Sequence, residues 1–321
     1  MATSESGGAR EAGKARDAGE TREIGAAGGS ALDATAVILI HNDGSRLVPL
    51  LDVLLAEVRD AVVVDNASSD GSAAVIDGRP GVTLIRNERN AGFAAGVNVG
   101  ARAATGAWLL LVNPDVYLKP GQATALLSGL ADDVAEVAPL QVDAEGAPRA
   151  ETGGYEPTLP RYLVWAILPA RFHRGFGPWL APPFPTDDTD VDWLSGALLG
   201  IRRDVFERLH GFDERFFMYH EDIDLARRAR RAGYRVVCRP SVRLRHDVAS
   251  GLSERRIRSG RLSIESLAID VPGWRRRVLG AILGLGYGLR AVLASGTTRD
   301  LARAVLPDCA AMIRGRVPAR A

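Results

Sequence analysis

The chain contains 321 residues, of which 46% are hydrophobic and 25% are charged, and its formal net charge is +1. This composition is typical of a soluble globular protein, and the near-zero charge argues against a general nucleic-acid binder. The two cysteines, Cys238 and Cys309, lie far apart and lack the spacing of metal ligands. We therefore expect free thiols in a reducing compartment.

The first 33 residues are mainly Gly, Ala, Ser, Glu and Arg, with almost no large apolar residue. Such a segment buries too little surface to offset the entropy of ordering, so the sequence predicts a disordered tail over residues 1–33. The tail lacks the apolar core of a signal peptide, and no run in the chain approaches the roughly 18–20 apolar residues of a membrane span. We expect a cytoplasmic protein, with the inner face of the cell membrane as the alternative location.

A strand, a helix and a second strand are predicted next. Ala36–Ile40 is entirely apolar, which is typical of a strand buried on both faces of a parallel sheet. Apolar residues at helical spacing predict a helix over Leu47–Val58 with Ser45 as its cap, and Ala61–Val64 is the next apolar strand. A strand–helix–strand unit of this kind implies a right-handed crossover and parallel strands.

A third strand, Val82–Ile85, precedes a predicted helix of small residues from Phe93 to Thr105. Gly96 and Gly100 lie inside this helix, and Gly106 is placed to be its C-terminal cap. A glycine inside a helix costs about 1 kcal/mol relative to alanine. We therefore expect a sheet or a ligand to approach the helix closely at these positions.

The stretch Leu109–Val112 is a further apolar strand, and Pro114 ends it because proline cannot donate to a sheet ladder. Asp115 is therefore presented at the carboxyl end of a central strand, where ligands bind in open α/β sheets. A carboxylate there can hold a divalent cation, whose natural partner is a diphosphate. The alternative is that Asp115 only begins a turn.

A helix over Gln122–Leu130 and a hairpin-like passage over Val134–Arg149 are predicted before a segment of different character. Residues 151–190 contain seven prolines mixed with aromatic residues. A long irregular segment inside a compact domain is more often a lid or a binding loop than filler. Its aromatic side chains could stack on sugar rings or pin the segment to the core, and we favour pinning for most of them.

An acidic cluster, Glu221, Asp222 and Asp224, begins a predicted helix that runs to Ala232 and ends in arginines. This order of charges suits the helix dipole, which gives the cluster a structural explanation. That explanation does not account for the aromatic residues that lead directly into the acids.

Two late strands are predicted at Arg235–Val237 and Val242–Arg245, and from Gly251 onward the chain is rich in arginine and helical in pattern. The apolar stretch Val278–Leu293 is spaced with glycines and interrupted by Arg290, so it is too short and too interrupted to span a bilayer. A basic amphipathic helix pair at a membrane interface and a self-packing helical extension agree equally well with this pattern.

Four motifs in register give the chain a resemblance to a known family. They are Val64–Ser72, Asn90–Phe93, Asn113–Asp115 and Gly211–Leu225. In their order and spacing, over residues 36–250, the chain resembles family-2 glycosyltransferases of the GT-A fold. Trp193–Gly196 and the last of the four motifs carry a narrower resemblance to bacterial rhamnosyltransferases that use a dTDP-sugar and extend a polyprenyl-diphosphate-linked glycan.

The resemblance implies an α/β fold of the GT-A type, which is a nucleotide-diphospho-sugar transferase fold with a Rossmann-like, mostly parallel sheet. It also implies a C-terminal helical extension. Three parts follow from it: the tail at 1–33, a GT-A glycosyltransferase domain at 34–250 and a basic helical extension at 251–321.

The resemblance also implies roles for single residues. Asp222 matches the catalytic base, with Glu221 beside it, and Asp115 and His246 match ligands of a divalent cation, Mg²⁺ or Mn²⁺. The usual Asp-x-Asp metal motif is here Asn113-Pro114-Asp115, which leaves the cation one carboxylate. A structural His246 and a solvated Asn98 are the alternatives at those positions. The residues that match binding sites for the substrates are His41, Asn42, Asp65, Asn66, Asp70, Arg89, Asn90, Gly92, Phe93, Asn98, Asn113, Trp193, Ser195 and Gly196.

The residue types agree with this chemistry, because a carboxylate base can deprotonate an acceptor hydroxyl and a cation can stabilise a leaving diphosphate. One base and one metal, without an obvious carboxylate nucleophile, predict inversion at the anomeric carbon. We therefore expect a metal-dependent enzyme that takes a sugar from a dTDP- or UDP-sugar, with L-rhamnose from dTDP-rhamnose favoured. The expected acceptor is a glycan or a polyprenyl-diphosphate-linked saccharide in cell-wall polysaccharide synthesis, with a peripheral membrane contact and without nucleic acid.

Two other classes of protein share some of these features. A nucleotidyltransferase also pairs a parallel sheet with a metal carboxylate, but it usually carries a glycine-rich basic phosphate loop after the first strand, which His41–Gly44 does not provide. A non-catalytic sugar-nucleotide-binding protein is the second alternative, and it would not need Asp222.

Overall fold

The computed structural model of the protein describes residues 31–168, 173, 176–246 and 254–320, so most of the predicted N-terminal tail lies outside the described residues. The strands are Leu32–Ile40 (β1), Val58–Asp65 (β2), Val82–Arg86 (β3), Trp108–Val112 (β4), Val116–Tyr117 (β5), Val134–Val142 (β6), Gly153–Gly154 (β7), Thr189–Asp190 (β8), Trp193–Leu194 (β9), Leu198–Arg202 (β10) and Arg235–His246 (β11). The α-helices are Leu47–Leu55 (α1), Phe93–Ala103 (α2), Gln122–Leu127 (α3), Leu159–Ile167 (α4), Arg203–Arg208 (α5), Glu221–Arg231 (α6), Glu254–Asp270 (α7), Trp274–Leu293 (α8) and Gly296–Ile313 (α9).

Most of the strands form one mixed sheet in the order β3-β2-β1-β4-β10-β6-β11-β5, and β8 also pairs with β11. The neighbours β3, β2, β1 and β4 run parallel to one another, and so do β6 and β11. Strand β10 runs antiparallel to both β4 and β6, and β5 and β8 run antiparallel to β11. The predicted α/β fold with a mostly parallel sheet is confirmed. The carboxyl ends of β1, β2 and β4 share one edge of this sheet.

The central strands are buried on both faces, as their apolar runs predict. On one face, Ile38 and Leu110 pack in a core with α1 and α3. On the other face, Val37 and Leu109 pack with α2 and α6. Every residue of β6 is buried, including its polar ones. The site edge is therefore carried by a rigid, two-sided core.

Two glycines let α2 lie close to the sheet. A Cβ atom at Gly96 would clash with the side chain of Leu39, and one at Gly100 would lie 2.6 Å from Val37. The close approach is therefore made by the sheet. Gly106, however, is not the cap of α2, which ends at Ala103. It is required instead by contact with β1, since a Cβ there would lie 2.5 Å from the backbone nitrogen of Thr35.

Several element boundaries differ from the prediction. Arg46, and not Ser45, is the N-cap residue of α1, and Val58 belongs to β2. The strand β1 starts at Leu32, whose N–H donates to the carbonyl oxygen of Glu57 (2.8 Å), so residues assigned to the tail already pair with the chain before β2. The two predicted late strands are the single strand β11, interrupted in register where it pairs with β6.

The segment 151–190 contains α4, and aromatic rings pin it to the C-terminal helices. The ring centroid of Trp165 lies 6.1 Å from that of Trp179 and 5.2 Å from that of Tyr287 on α8. The packing interpretation is confirmed for these rings. Phe176, by contrast, is 69% exposed, and Phe172 lies outside the described residues.

The predicted C-terminal helices are present, and they pack on one another and on α4 around a shared apolar cluster. The glycines of α8 lie at the contacts. A Cβ at Gly280 would lie 2.7 Å from Met312 on α9, and one at Gly286 would lie 2.9 Å from Ala166 on α4. In the part of the chain that the structure describes, no helix has the length and apolar character needed to cross a bilayer.

Candidate active site

The loops after β1, β2 and β4 meet at the carboxyl edge of the sheet. Ile40, the last residue of β1, is aligned with Asp65 of β2, and Ile38 is aligned with Val112 at the end of β4. Neighbouring parallel strands that end together place the residues that follow them side by side. The predicted site residues brought together in this way are His41, Asn42, Asp65, Asn66, Asn113 and Asp115.

The buried side chain of Asn66 holds the loop that follows β3. Its amide nitrogen donates to Oδ1 of Asn90 (2.9 Å) and to the carbonyl oxygen of Gly92 (3.1 Å). Its amide oxygen accepts from Nδ2 of Asn87 (3.0 Å) and from the N–H of Ala91 (3.2 Å). Both polar ends of the amide are therefore engaged within the protein. This geometry favours a positioning role for Asn66 over direct contact with a substrate.

The loops after β1 and β2 are linked to each other. Nδ1 of His41 donates to the carbonyl oxygen of Asn66 (2.9 Å). The backbone N–H of Asn42, a residue with a left-handed φ of 53°, donates to the hydroxyl of Ser68 (3.0 Å). The carboxylate of Asp65 is buried and accepts from the N–H of Ser68 (2.9 Å). Together these bonds form a preorganised wall at the end of β1 and β2.

Asp70 and Arg89 are exposed near this wall. The hydroxyl and the backbone N–H of Ser72 both donate to the carboxylate of Asp70, and they lower its pKa below the usual value. Asp70 therefore carries a negative charge throughout the physiological pH range. Arg89 adds a positive charge on the loop that Asn66 holds.

Asp115 and His246 form a pair at the edge of the sheet. Strand β5 pairs with β11 so that His246 lies opposite Val116, and Nε2 of His246 lies 3.4 Å from Oδ1 of Asp115. Nδ1 of the same ring lies 3.0 Å from Oε1 of the buried Gln141. Because an amide oxygen can only accept, Nδ1 carries a hydrogen, and in the neutral imidazole Nε2 presents its lone pair on the side of Asp115.

This pair suits one side of a divalent cation. Two adjacent ligands of an octahedral ion at ~2.1 Å lie roughly 3 Å apart, close to the separation of Asp115 and His246. Among the described residues, no group of three or more His, Cys, Asp or Glu residues could hold an ion. Asp115 and His246 can therefore supply two adjacent ligands of such an ion.

The acid pair at the start of α6 follows a strained turn. Tyr219 and His220 both have left-handed backbones, with φ of 71° and 70°. Such conformations cost non-glycine residues on the order of 1–3 kcal/mol each and persist only where the surroundings enforce them. They set the direction from which Glu221 and Asp222 enter the helix.

Helix α2 supports the loop that leads into α6. The N–H of Phe93 donates to the carbonyl oxygen of Phe217 (2.6 Å), and a Cβ at Gly92, where φ is 95°, would lie 2.5 Å from the same oxygen. Asn98 is buried, and its amide donates to the carbonyl oxygen of Phe212 and accepts from the N–H of Phe212, both at 2.9 Å. Asn98 is thus neither solvated nor directed at a ligand, and it positions this loop.

Two residues of the Trp193–Gly196 motif are tied into the protein interior. The indole of Trp193 is buried, and its Nε1 donates to the carbonyl oxygen of Tyr155 (3.1 Å). The N–H of Ser195 donates to the carbonyl oxygen of Thr152 (3.0 Å). The motif is therefore a fixed part of the scaffold, and Trp193 contributes packing, not a surface for a sugar ring.

Gly196 and Ala197 join the acid pair to the end of β4. The N–H of Gly196 donates to the carboxylate of Asp222. The carbonyl oxygen of Ala197 accepts from the N–H of Asn113 (2.9 Å). The carboxylate of Asp222 and the strand end that carries Asp115 are therefore bonded to successive residues of one short segment.

The two acids at the start of α6 have different protonation. Burial and the neighbouring charge of Asp222 raise the pKa of Glu221 well above its usual value, and Oε2 of Glu221 has no hydrogen-bond partner among the described residues. Burial raises the pKa of Asp222 to about 6, while the N–H groups of Ile223 (2.8 Å) and Gly196 stabilise its ionised form. Of the two acids, Glu221 is therefore the one whose neutral form is favoured more, and Asp222 is the one whose carboxylate is stabilised by N–H groups.

Two residues of β6 lie near the site although no sequence motif contains them. Gln141 orients His246, and Glu136 is completely buried with both carboxyl oxygens lacking a hydrogen-bond partner in the described part of the chain. Burial, with a further contribution from the charge of Asp222, raises the pKa of Glu136 to about 8. A signal was available, because these are polar residues within a strand that is otherwise apolar.

The family model of glycosyl transferase family 2 matches residues 35–209, and the chain belongs to this family. It is 33% identical over 236 residues to the N-acetylglucosaminyl-diphospho-decaprenol L-rhamnosyltransferase of Mycobacterium tuberculosis, a match covering 66% of this chain and 75% of the relative. It is also 27% identical over 206 residues to a low-salt glycan biosynthesis hexosyltransferase of Haloferax volcanii, covering 62% of each protein. The predicted family and the resemblance to rhamnosyltransferases are confirmed, and the protein is a glycosyltransferase.

Solved structures agree with the fold. GalNAc-T7, solved with UDP, GalNAc and Mn²⁺, superposes with a TM-score of 0.56 at 16% identity, over 86% of this chain and 54% of that one. The mannosyltransferase PcManGT of Pyrobaculum calidifontis, solved with GDP-Man and Mn²⁺, gives 0.54 at 19% identity, over 89% and 86%. The predicted GT-A fold is confirmed.

Proposed function

We propose that the protein is an inverting glycosyltransferase that moves L-rhamnose from dTDP-rhamnose onto a polyprenyl-diphosphate-linked saccharide in cell-envelope polysaccharide synthesis. The name of the Mycobacterium tuberculosis relative, which specifies L-rhamnose and N-acetylglucosaminyl-diphospho-decaprenol, supports both the sugar and the acceptor. An acceptor of this kind is held by a lipid, so the proposal includes a peripheral contact with the membrane.

The observation that carries the proposal is the division of the acid pair at the start of α6. Asp222 is ionised at neutral pH and is held by backbone N–H groups, so it takes the proton of the acceptor hydroxyl as that oxygen attacks the anomeric carbon. The bond from that carbon to the diphosphate breaks on the opposite face, which inverts the configuration. The raised pKa of Glu221 favours its protonated form, which cannot compete as a nucleophile.

Asp115 and His246 are proposed to hold Mg²⁺ or Mn²⁺. When bound, the cation neutralises the charge that develops on the leaving diphosphate. Gln141 fixes the ring of His246 through Nδ1, so that Nε2 is available on the side of Asp115. The presence of Mn²⁺ in the solved structures of GalNAc-T7 and PcManGT supports a divalent cation in this fold.

The wall formed by the loops after β1 and β2 is proposed to bind the nucleotide. His41, Asn42 and Asp65 line the strand ends, and the exposed Arg89 can contact an anionic or ribose oxygen of the donor. Asn66 acts by holding the loop on which Arg89 and Asn90 lie. On the acceptor side, Gly196 and Phe93 lie against each other, since a Cβ at Gly196 would be 3.5 Å from the ring of Phe93.

The test is a transfer assay with the full chain, Mg²⁺ or Mn²⁺, and a short-chain polyprenyl diphosphate carrying N-acetylglucosamine. We expect transfer from dTDP-rhamnose in preference to UDP-glucose and GDP-mannose, and a product whose anomeric configuration by NMR is opposite to that of the donor. Preference for another donor would refute the rhamnose assignment. A product with retained configuration would refute direct displacement by a base.

A further inference from the structure

Helix α8 carries an apolar stripe that faces away from the protein. The stripe consists of exposed residues at spacings of three or four, which places them on one face of the helix. Trp274, Leu285 and Val292 are 67%, 48% and 77% exposed. The members of the stripe, called the α8 stripe below, are Trp274, Val278, Ala281, Leu285, Leu289 and Val292.

The α8 stripe is not needed for the packing of the helix. The opposite side of α8 already contacts its neighbours through Gly280 and Gly286. Arg290, which interrupts the apolar sequence, turns inward, with its guanidinium 4.2 Å from the ring centroid of Trp165. The stripe therefore runs without a charged residue for about 27 Å, at 1.5 Å per residue. A continuous exposed apolar surface of this length marks an interaction site.

Arginines surround the end of the stripe at Trp274. Arg275 and Arg277 are exposed on α8, and the guanidinium of Arg277 lies against Gly315, between the exposed Arg314 and Arg316. Over residues 254–320 the sequence has thirteen arginines and five acidic residues, a net charge of +8 in a chain whose total is +1. The charge of the helical extension is thus strongly positive, while the rest of the chain is negative.

We propose that the α8 stripe lies in the interfacial region of an anionic phospholipid bilayer. Its apolar side chains would enter the boundary between headgroups and acyl chains, with Trp274 at headgroup depth and the arginines on the lipid phosphates. The charge favours this occupant over a second copy of the chain, because two extensions of +8 would repel each other. The proposal deepens the proposed function and rests on its lipid-linked acceptor.

The helical extension is also bonded to the loop that precedes the acid pair. The hydroxyl of Ser266 on α7 donates to the carbonyl oxygen of Met218 (2.8 Å). At the end of the same helix, Asp270 pairs with Arg227 of α6 (2.7 Å). Because α7 and α8 share one apolar cluster, an extension fixed on the membrane would also fix the orientation of α6, whose first turn carries Asp222.

The test is flotation of the full chain with vesicles that contain no acceptor, made of phosphatidylcholine alone or mixed with phosphatidylglycerol. We expect the wild type to float with the anionic vesicles and only weakly with the neutral ones. The double variant Leu285→Glu/Val292→Glu should reduce the bound fraction about tenfold or more, because it places charges in the apolar layer. Val75→Glu, at a residue 60% exposed on the short 3₁₀ helix after β2, is the control for an added surface charge and should bind as wild type.

The variant Arg275→Gln/Arg277→Gln should lose binding to anionic vesicles while its thermal unfolding is unchanged. Absence of wild-type binding, or equal binding by Leu285→Glu/Val292→Glu, would overturn the proposal. If the wild type did not bind vesicles but sedimented as a dimer, and Leu285→Glu/Val292→Glu sedimented as a monomer, the stripe would be assigned to a second copy of the chain. A water-soluble acceptor analogue separates the two proposals. Leu285→Glu/Val292→Glu should transfer the sugar to this analogue as well as the wild type does. If neither protein transferred it, the result would count against the proposed function alone.

Discussion

The backbone N–H of Gly196 donates a hydrogen bond to the carboxylate of Asp222. The next carbonyl along the chain, that of Ala197, accepts from Asn113 (2.9 Å), two residues before Asp115. One rigid segment therefore links the carboxylate proposed as base to the strand end proposed to hold the cation. Because a backbone donor favours the ionised form, it limits the rise in the pKa of Asp222 that burial causes.

Replacement of the two acids at the start of α6 should affect kcat very differently. Asp222→Asn removes the proton acceptor, so we expect kcat to fall roughly 10²–10⁴-fold while donor binding is retained. Glu221→Gln is isosteric with the protonated form that the raised pKa of Glu221 favours, so kcat should stay within about threefold of wild type. Steady-state kinetics and donor calorimetry on both variants make the comparison. Full turnover by Asp222→Asn would remove this residue from the role of base.

The activity should depend on pH through the ionisation of Asp222. A base acts when it is deprotonated, and burial raises the pKa of Asp222 to about 6. We therefore expect kcat/KM to rise with pH through a midpoint near 6 and to reach a plateau above it. Glu221→Gln should keep this acid limb, since the limb is assigned to Asp222 and not to Glu221. The profile is measured with the pH kept constant during each assay. A midpoint near 4 would show that burial does not raise the pKa of this carboxyl group in the free enzyme.

The positions of the strand ends were predictable because apolar runs and their polar stops are local properties of the sequence. The roles of Asn66, Asn98 and Trp193 were not. Each was matched to substrate binding, yet each polar group bonds to backbone or side chains far away in sequence. An asparagine that binds a ligand and one that braces a loop have the same residue type, and only the folded chain distinguishes them.

Two polar residues near the site belong to no motif and were not predicted. Glu136 and Gln141 lie in a strand whose every residue is buried, and Gln141 contacts a predicted site residue. Gln141 bonds to His246, and Glu136 lies close enough to Asp222 to be affected by its charge. A polar residue in a doubly buried strand is costly unless it is paired or neutral. A polar residue in such a strand can therefore indicate, from the sequence, a residue that supports the side chains of a site.

Cation binding should depend on the residue that orients His246. We expect a chelator to abolish transfer and Mg²⁺ or Mn²⁺ to restore it. Gln141→Leu removes the acceptor for Nδ1–H, which should weaken Mn²⁺ binding about 10–100-fold, while Asp115→Asn should weaken it further. Mn²⁺ binding is followed by electron paramagnetic resonance in the presence of dTDP, and thermal unfolding checks the fold. Full activity in chelator would remove Asp115 and His246 from the metal role.

Glu136 should make the stability of the protein fall as pH rises. Burial raises its pKa to about 8, so between about 4.5 and 8 the folded chain holds a proton that the unfolded chain releases. In that range the free energy of unfolding loses roughly 1 kcal/mol per pH unit from this group. Glu136→Gln has no such proton, so its free energy of unfolding relative to wild type should increase by about 3 kcal/mol from pH 5 to pH 8. A constant cost of burying the amide leaves this slope unchanged.

The measurement for Glu136→Gln is urea unfolding at several pH values, with Glu145→Gln as a matched control in an exposed turn. The control should run parallel to wild type across the whole range, since its carboxyl group is in solvent in both states. A difference between Glu136→Gln and wild type that does not change with pH would mean that Glu136 is ionised in the folded protein. In that case its charge would be balanced by the arginines of α6, Arg228 and Arg230, whose charges act to lower its pKa. If Glu145→Gln showed the same pH-dependent change as Glu136→Gln, the general charge of the chain would be the cause instead.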